Sequence, residues 1–447
     1  MVNKIADALP SNDVPKGSAA VLTIKFTASV LAFAMFALSS HHMDPAAFGT
    51  LAVIFNAMSF LAVISLCAQE ALIVRSWDEY CQSHRFGLAR GALTFGAQIA
   101  VIAGLVTGVA VALGWSVWDP VVSTNLLLAA CFFMFAQSLM HFTGQFTRVS
   151  VGLMVGEIPR ELLWRLMVVA VVGIHHVLNV GFDTTEFFFV SGCALTIAVV
   201  FQIWQAARVL SRATKSAKSE RDTAASLPRS FNMWMSAPMD TSQYLEVVVI
   251  GFFLGPTAAG FYFVTTRITN VFAMLSSSIT IYATSQLSIL YYSNAKNELQ
   301  AILRSLALIG AAVVVIAFAV IVIAGKLLLF AFGVAYVSAY PALLVLAAGA
   351  SVSALAGPTA YLFLLTGNEG TYPKIMAAGL VLRFFLIAIL GTLFGLIGAV
   401  IAWSVSAVLI ALALIVACRH LVGLDASPGS ASPRTNAAFM RLKGILP

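Results

Sequence analysis

Apolar runs of about 20 residues, separated by short polar turns, recur along the whole chain. Twelve can be marked, near 19–40, 50–74, 91–113, 122–142, 162–180, 186–207, 233–254, 258–285, 303–325, 340–366, 373–393 and 396–418. At 1.5 Å per residue such runs match the roughly 30 Å hydrocarbon thickness of a bilayer. They lack the alternation, in segments of about ten residues, of a transmembrane barrel. The pattern predicts an all-α integral membrane protein with about 12 transmembrane helices.

The one long polar stretch between the termini, residues 208–231, falls after the sixth run and contains RVLSRATKSAKSERDTAASLPRS. It divides the chain into two six-helix bundles, 19–207 and 232–418, with tails at 1–18 and 419–447. A faint repeat supports pseudo-symmetry. DPAAFGTLAV at 44–53 and GPTAAGFYFV at 255–264 share Pro, Ala, Gly and Val at a constant offset of 211, each after the first span of its half.

Composition agrees with the pattern. Hydrophobic residues make up 60% of the chain and charged residues 10%, with a mean hydropathy of +0.96, against roughly 25% charged in a soluble domain. The net charge of +7 could suggest nucleic acid, but the placement of the basic residues explains it better. Of 25 Lys and Arg, 21 belong to the tails, the alternate loops on one side or the span ends that border them, and only Lys326 lies in the loops opposite. By the positive-inside rule both termini are cytoplasmic, and a nucleic-acid partner is not expected. Lys25, inside the first run, argues against a cleavable signal. The five cysteines form no CxxC pair, so neither a disulfide framework nor a zinc site is predicted. His175 and His176, near the outer end of span five, read as interfacial histidines because ligand partners are lacking. Gly104 and Gly108 form a GxxxG packing step, and Pro159 is placed to start the fifth helix.

Charges near the bilayer centre cost about 2.5–3.5 kcal/mol on insertion scales, so they normally face a cavity or a partner. Arg267 lies about ten residues into span eight, some 15 Å deep, and Asn270 shares its face one turn on. An ion pair with Glu246 or Asp240, ligand binding, or both would accommodate it. Asp240, Gln243 and Glu246 recur every three residues on span seven and line one slowly drifting face, expected to look into an aqueous cavity. Arg383 lies near the middle of span eleven with no evident partner. Lys25 reads as snorkelling to the inner interface rather than lining a cavity, and Glu70 and Arg75 as interfacial. No Walker loop, nucleophile elbow or exposed pair of catalytic carboxylates accompanies these groups, so an enzyme is not expected.

Three stretches carry a family resemblance. They are the turn DPAAFG with Arg75 beyond it, LGPTAAGFYFVTTRI with Gly260, Tyr262 and Arg267, and AFGVAYVSAYPALLVLAAG, supported by FGLIGAVIA. The chain resembles the polysaccharide-transport family, the bacterial flippases for lipid-linked O-antigen and exopolysaccharide repeat units. That family belongs to the multidrug/oligosaccharidyl-lipid/polysaccharide exporter superfamily. One departure is His41, where the family commonly has Arg. The resemblance implies two six-helix bundles around a cationic cavity in the bacterial inner membrane. Alternating access would move a polyprenyl-diphosphate-linked oligosaccharide outward. Arg267, aided by Lys25 and Arg75, would neutralise the diphosphate, with Asn270 and Arg383 as further substrate-binding candidates. Asp240, Gln243, Glu246 and Glu70 are the candidates for ion coupling. The implied partners are the lipid-linked oligosaccharide, membrane lipids, and polysaccharide polymerase and export proteins; no cofactor or metal is implied. An ion-coupled multidrug exporter of the same superfamily is the alternative, with a membrane-embedded glycan-processing enzyme a third reading.

Overall fold

The computed structural model describes residues 14–118, 123–210, 214, 216–220, 229–231, 233–234, 239, 241–293, 296–368 and 370–422. Its helices are α1 (Val14–Ser40), α2 (Pro45–Ile64), α3 (Gln69–Gln82), α4 (Phe86–Trp118), α5 (Thr124–Ser150), α6 (Leu153–Ile158) and α7 (Trp164–Leu178). They continue with α8 (Thr184–Val209), α9 (Ser242–Leu254), α10 (Pro256–Tyr292), α11 (Lys296–Phe330), α12 (Tyr340–Ala354), α13 (Thr359–Leu365) and α14 (Thr371–Ala417). Among the described residues, each of the twelve apolar runs overlaps this helical framework. Span two is split into α2 and α3, span ten into α12 and α13, and spans eleven and twelve run together in α14 across a kink at Gly395 (φ 64°).

The local sequence explains several helix starts. Asp44 caps α2, accepting a bond from the Ala47 amide at 2.6 Å, with Pro45 in the first turn, where its missing N–H costs nothing. At the repeat position Pro256 likewise opens α10, with Gly255 (φ 87°) in place of the aspartate. Asp183 and Glu186 form a reciprocal capping box at the head of α8. Pro159 departs from expectation. It sits inside the helical run from Leu153 to Leu178, at the head of a π-turn (Pro159–Leu163), because widening the register absorbs the backbone bond that proline cannot donate.

The chain divides into two compact units, Thr23–Gly251 and the residues from Phe252 onward together with 14–22. In the first, α5 packs against α8 and α4, and the rings of Phe36, Phe55, Phe133, Phe187 and Phe188 interlock with centroids 5.1–5.9 Å apart. Gly104 of the GxxxG step lies directly against Phe135 of α5. In the second, α12 packs on α14 and α10 on α11, over a core that includes Leu287, Leu303, Phe363 and Leu414. Exposed apolar side chains such as Ile102, Val106 and Val109 on α4, and Val315, Ile316 and Ile323 on α11, form the broad apolar faces expected of a lipid-facing surface. The protein is therefore a multi-pass membrane protein.

Two features of the first unit were not foreseen. One is the break between α2 and α3, where Cys67 (φ 49°) and Ala68 (φ 59°) are both left-handed. Each costs about 1–2 kcal/mol for an L-residue. The other is that the described residues of the basic linker and of the start of the following span, up to Gly251, fall within the first unit. Ser230 Oγ donates to the Cys67 carbonyl at 2.6 Å and accepts from Gln69 Nε2 at 2.9 Å, and Trp234 Nε1 donates to the Ile64 carbonyl at 2.9 Å. At about 0.5–1.5 kcal/mol each, these three bonds are comparable with the backbone strain they accompany.

Candidate functional site

The predicted site residues fall in both units. In the first, Lys25 on α1 and Arg75 on α3 are exposed, uncovered by protein. Glu70 is half-buried in the first turn of α3, immediately beyond the break, and its Oε2 is enclosed with no hydrogen-bond partner among the described residues. On α9, Gln243 is exposed whereas Glu246 is buried at 4% exposure, beside Val247 and Ile250. The two therefore do not share one environment. Asp240 lies outside the described residues.

In the second unit, Arg267 stands eleven residues beyond Pro256, about 16 Å along α10 at 1.5 Å per residue. Its guanidinium carbon sits 4.4 Å from the Phe263 ring centroid and its Nε is enclosed, leaving a half-buried cation on an apolar helix. Asn270, one turn on, is exposed. Arg383 has partners that the sequence did not suggest. Its Nε donates to Ser406 Oγ at 2.9 Å, and its guanidinium lies 5.1 Å from the Trp403 ring centroid, both on the second half of α14. These contacts tie the two halves of the kinked helix together.

Two further charged clusters emerged. Near the α5–α6 junction, Glu157 (3% exposed) accepts from Arg160 at 2.8 Å and lies 3.4 Å from Arg148, while Glu161 pairs with Arg165 at 2.9 Å. Gln202 of α8 joins this region by donating to the Gly156 carbonyl and accepting from Thr143. All these charges were legible in the sequence as one polar stretch, but their pairing was not.

The other cluster is at the turn between α1 and α2. His176 lies 5.4 Å from His42 and 6.0 Å from His41, ring centroid to centroid, and His175 packs on Phe182 at 5.2 Å. The His42 pKa is held below its ordinary value, first by burial and then by the neighbouring His176, His175 and His41. Among the described residues no group of three or more His, Cys, Asp or Glu is arranged to hold a metal ion.

No protein-family model matches the chain, and no curated protein does. Solved structures do match. A multidrug resistance MATE family transporter of the MOP superfamily, inward-facing, superposes with a TM-score of 0.72 at 11% identity, covering 90% of this chain and 98% of that one. The lipid II flippase MurJ, inward closed, gives 0.64 at 9% identity over 90% and 87%. A MOP superfamily transporter from Pyrococcus furiosus, described as having a binding pocket of reversed polarity, gives 0.60 at 12% over 92% and 95%. Across nearly its whole length the chain has the fold of MOP superfamily transporters, a fold shared by multidrug exporters and a lipid-linked flippase.

Proposed function

We propose that this protein flips a polyprenyl-diphosphate-linked oligosaccharide repeat unit across the bacterial cytoplasmic membrane, with both termini in the cytoplasm, by alternating access. The observation that carries this reading is Arg267, a half-buried guanidinium some 16 Å along a membrane helix and over the Phe263 ring. Such a group normally faces a protein partner, an anion or an aqueous cavity, and its planar fork matches diphosphate oxygens. Lys25 and Arg75 are exposed cations of the first unit, and the exposed amide of Asn270 stands one turn beyond Arg267 in the second. The fold shared with a lipid II flippase supports a lipid-linked substrate. An inside-negative potential favours outward movement of an anion by about 2.3 kcal/mol per charge per 100 mV. Arg383, held by Ser406 and Trp403, is the weakest of the substrate-binding candidates.

Arg267→Ala is expected to stop surface polysaccharide output with protein level unchanged, as measured by glycan staining against membrane immunoblots. Normal output would remove Arg267 from the mechanism. One observation favours a second reading, the ion-coupled exporter: Glu246 is an almost fully buried carboxylate, and a multidrug transporter shares the fold. For that reading Glu246→Gln would abolish proton-linked cation efflux and leave polysaccharide unaffected.

A further inference from the structure

The break between α2 and α3 contains neither glycine nor proline, the residues that ordinarily interrupt a membrane helix. It is instead met from outside by the chain that follows the sixth long helix. That chain touches the first unit in two stretches. In the first, Ser230 and Trp234 bond the Cys67 and Ile64 carbonyls, and Arg229 lies 3.8 Å from Glu79. In 217–220, the Glu220 amide donates to the Gly87 carbonyl, Arg90 donates to the Ala217 carbonyl, and Ser219 Oγ lies 3.2 Å from Thr94 Oγ1. The groove under this second stretch is made by glycine. A Cβ on Gly91 would stand 1.7 Å from the Glu220 carbonyl oxygen, and one on Gly87 2.9 Å from that of Lys218.

The carbonyls served by Ser230 and Trp234 have an alternative. In an unbroken helix the Ile64 oxygen would accept from the Ala68 amide and the Cys67 oxygen from the Ala71 amide, with both left-handed residues relaxed. In the structure the Ala71 amide bonds the Ala68 oxygen instead. The Cys67 oxygen can thus be satisfied with the helix broken and Ser230 docked, or with the helix continuous and that chain away, while the Ile64 oxygen also accepts from the Cys67 amide at 3.2 Å in the broken form. The docked edge is also water-accessible, since Lys218, Ser219 and Glu220 are exposed and Arg229 and Glu79 are 39% and 52% exposed. Such an arrangement has the properties of a two-state element.

We propose that residues 217–220, together with Arg229, Ser230 and Trp234, form a releasable strap that holds the α2–α3 break, and that its release, letting α2 and α3 become continuous and carrying Glu70 with them, is a step of the transport cycle. The second part rests on the transporter reading; the first does not.

Thr94→Cys with Ser219→Cys, in a background with the five native cysteines replaced, tests both. The expected result is a disulfide that forms under mild oxidant, lowers transport at least tenfold, and is reversed by reductant. Gly91→Val, which intrudes on the strap backbone, should cut crosslink yield severalfold. Absence of a crosslink in folded protein, or a yield indifferent to Gly91→Val, would overturn the docking. Undiminished transport by the crosslinked protein would overturn the release step. Transport is read both as polysaccharide output and as cationic dye efflux. Loss of both in the reduced protein would sink the transporter reading, and the strap would then be judged by hydrogen exchange at the 67–71 amides. Exchange slowed by the crosslink supports the strap, and equal exchange in both forms contradicts it.

Discussion

Four of the protein's seven histidines meet at the turn between α1 and α2, although they come from positions more than 130 residues apart. His42 carries the consequence. Because its pKa in the folded protein lies below the roughly 6.5 of an exposed imidazole, the folded state binds fewer protons than the unfolded one. Its contribution to stability is therefore present above about pH 6.5 and is lost as pH falls through that value toward the lowered folded pKa. The thermal midpoint in detergent should decline between pH 7.5 and 5, and His42→Gln should flatten that decline; an identical slope in the variant would contradict the assignment. Arg383 makes a contrasting case. Removing a bond from a charged donor costs about 1.5–3 kcal/mol, so Arg383→Ala should lower the melting temperature while leaving transport per folded molecule near normal. Loss of transport at full stability would return Arg383 to the substrate path. Neither environment was legible, because His42 and Arg383 take their partners from other helices or helix segments, and a sequence displays only near neighbours along one helix.

Among elements, those written in local chemistry were readable and those imposed by packing were not. The apolar runs placed the long helices because membrane length and backbone satisfaction leave few alternatives. The interruption between α12 and α13, within a run marked as one span, coincides with the Gly357–Pro358 pair, with Gly357 at φ 63°. Ser65 to Ala68 carry no such mark, and the side chains that bond the carbonyls at that break, Ser230 and Trp234, come some 165 residues later. Pro159 misled in the opposite direction, because a π-turn hid it within a longer helix. Ser230→Ala should destabilise the first unit by about 1–3 kcal/mol, the cost of leaving a buried carbonyl and amide unsatisfied, and Ser230→Thr, which keeps the hydroxyl, should lose less. Equal melting temperatures for Ser230→Ala and the unaltered protein would show that these bonds contribute nothing. At the α14 kink, Gly395→Ala should cost about 1 kcal/mol or more, since its φ of 64° penalises a Cβ.

At the scale of the whole molecule, the structure matches transporters at only 9–12% identity. What such chains share is the fold, and the apolar span pattern that underlies a membrane helix fold is what the sequence displayed. The proposed function rests instead on a few polar side chains such as Arg267 and Glu246, whose types are visible but whose surroundings are set by tertiary packing. The most direct test of the flippase account is to delete the gene and assign the lipid-linked oligosaccharide to a leaflet with a membrane-impermeant glycan probe. The account predicts accumulation on the cytoplasmic leaflet, relieved by the unaltered protein and not by Arg267→Ala. An unchanged amount and leaflet distribution of that lipid in the deletion strain would contradict it.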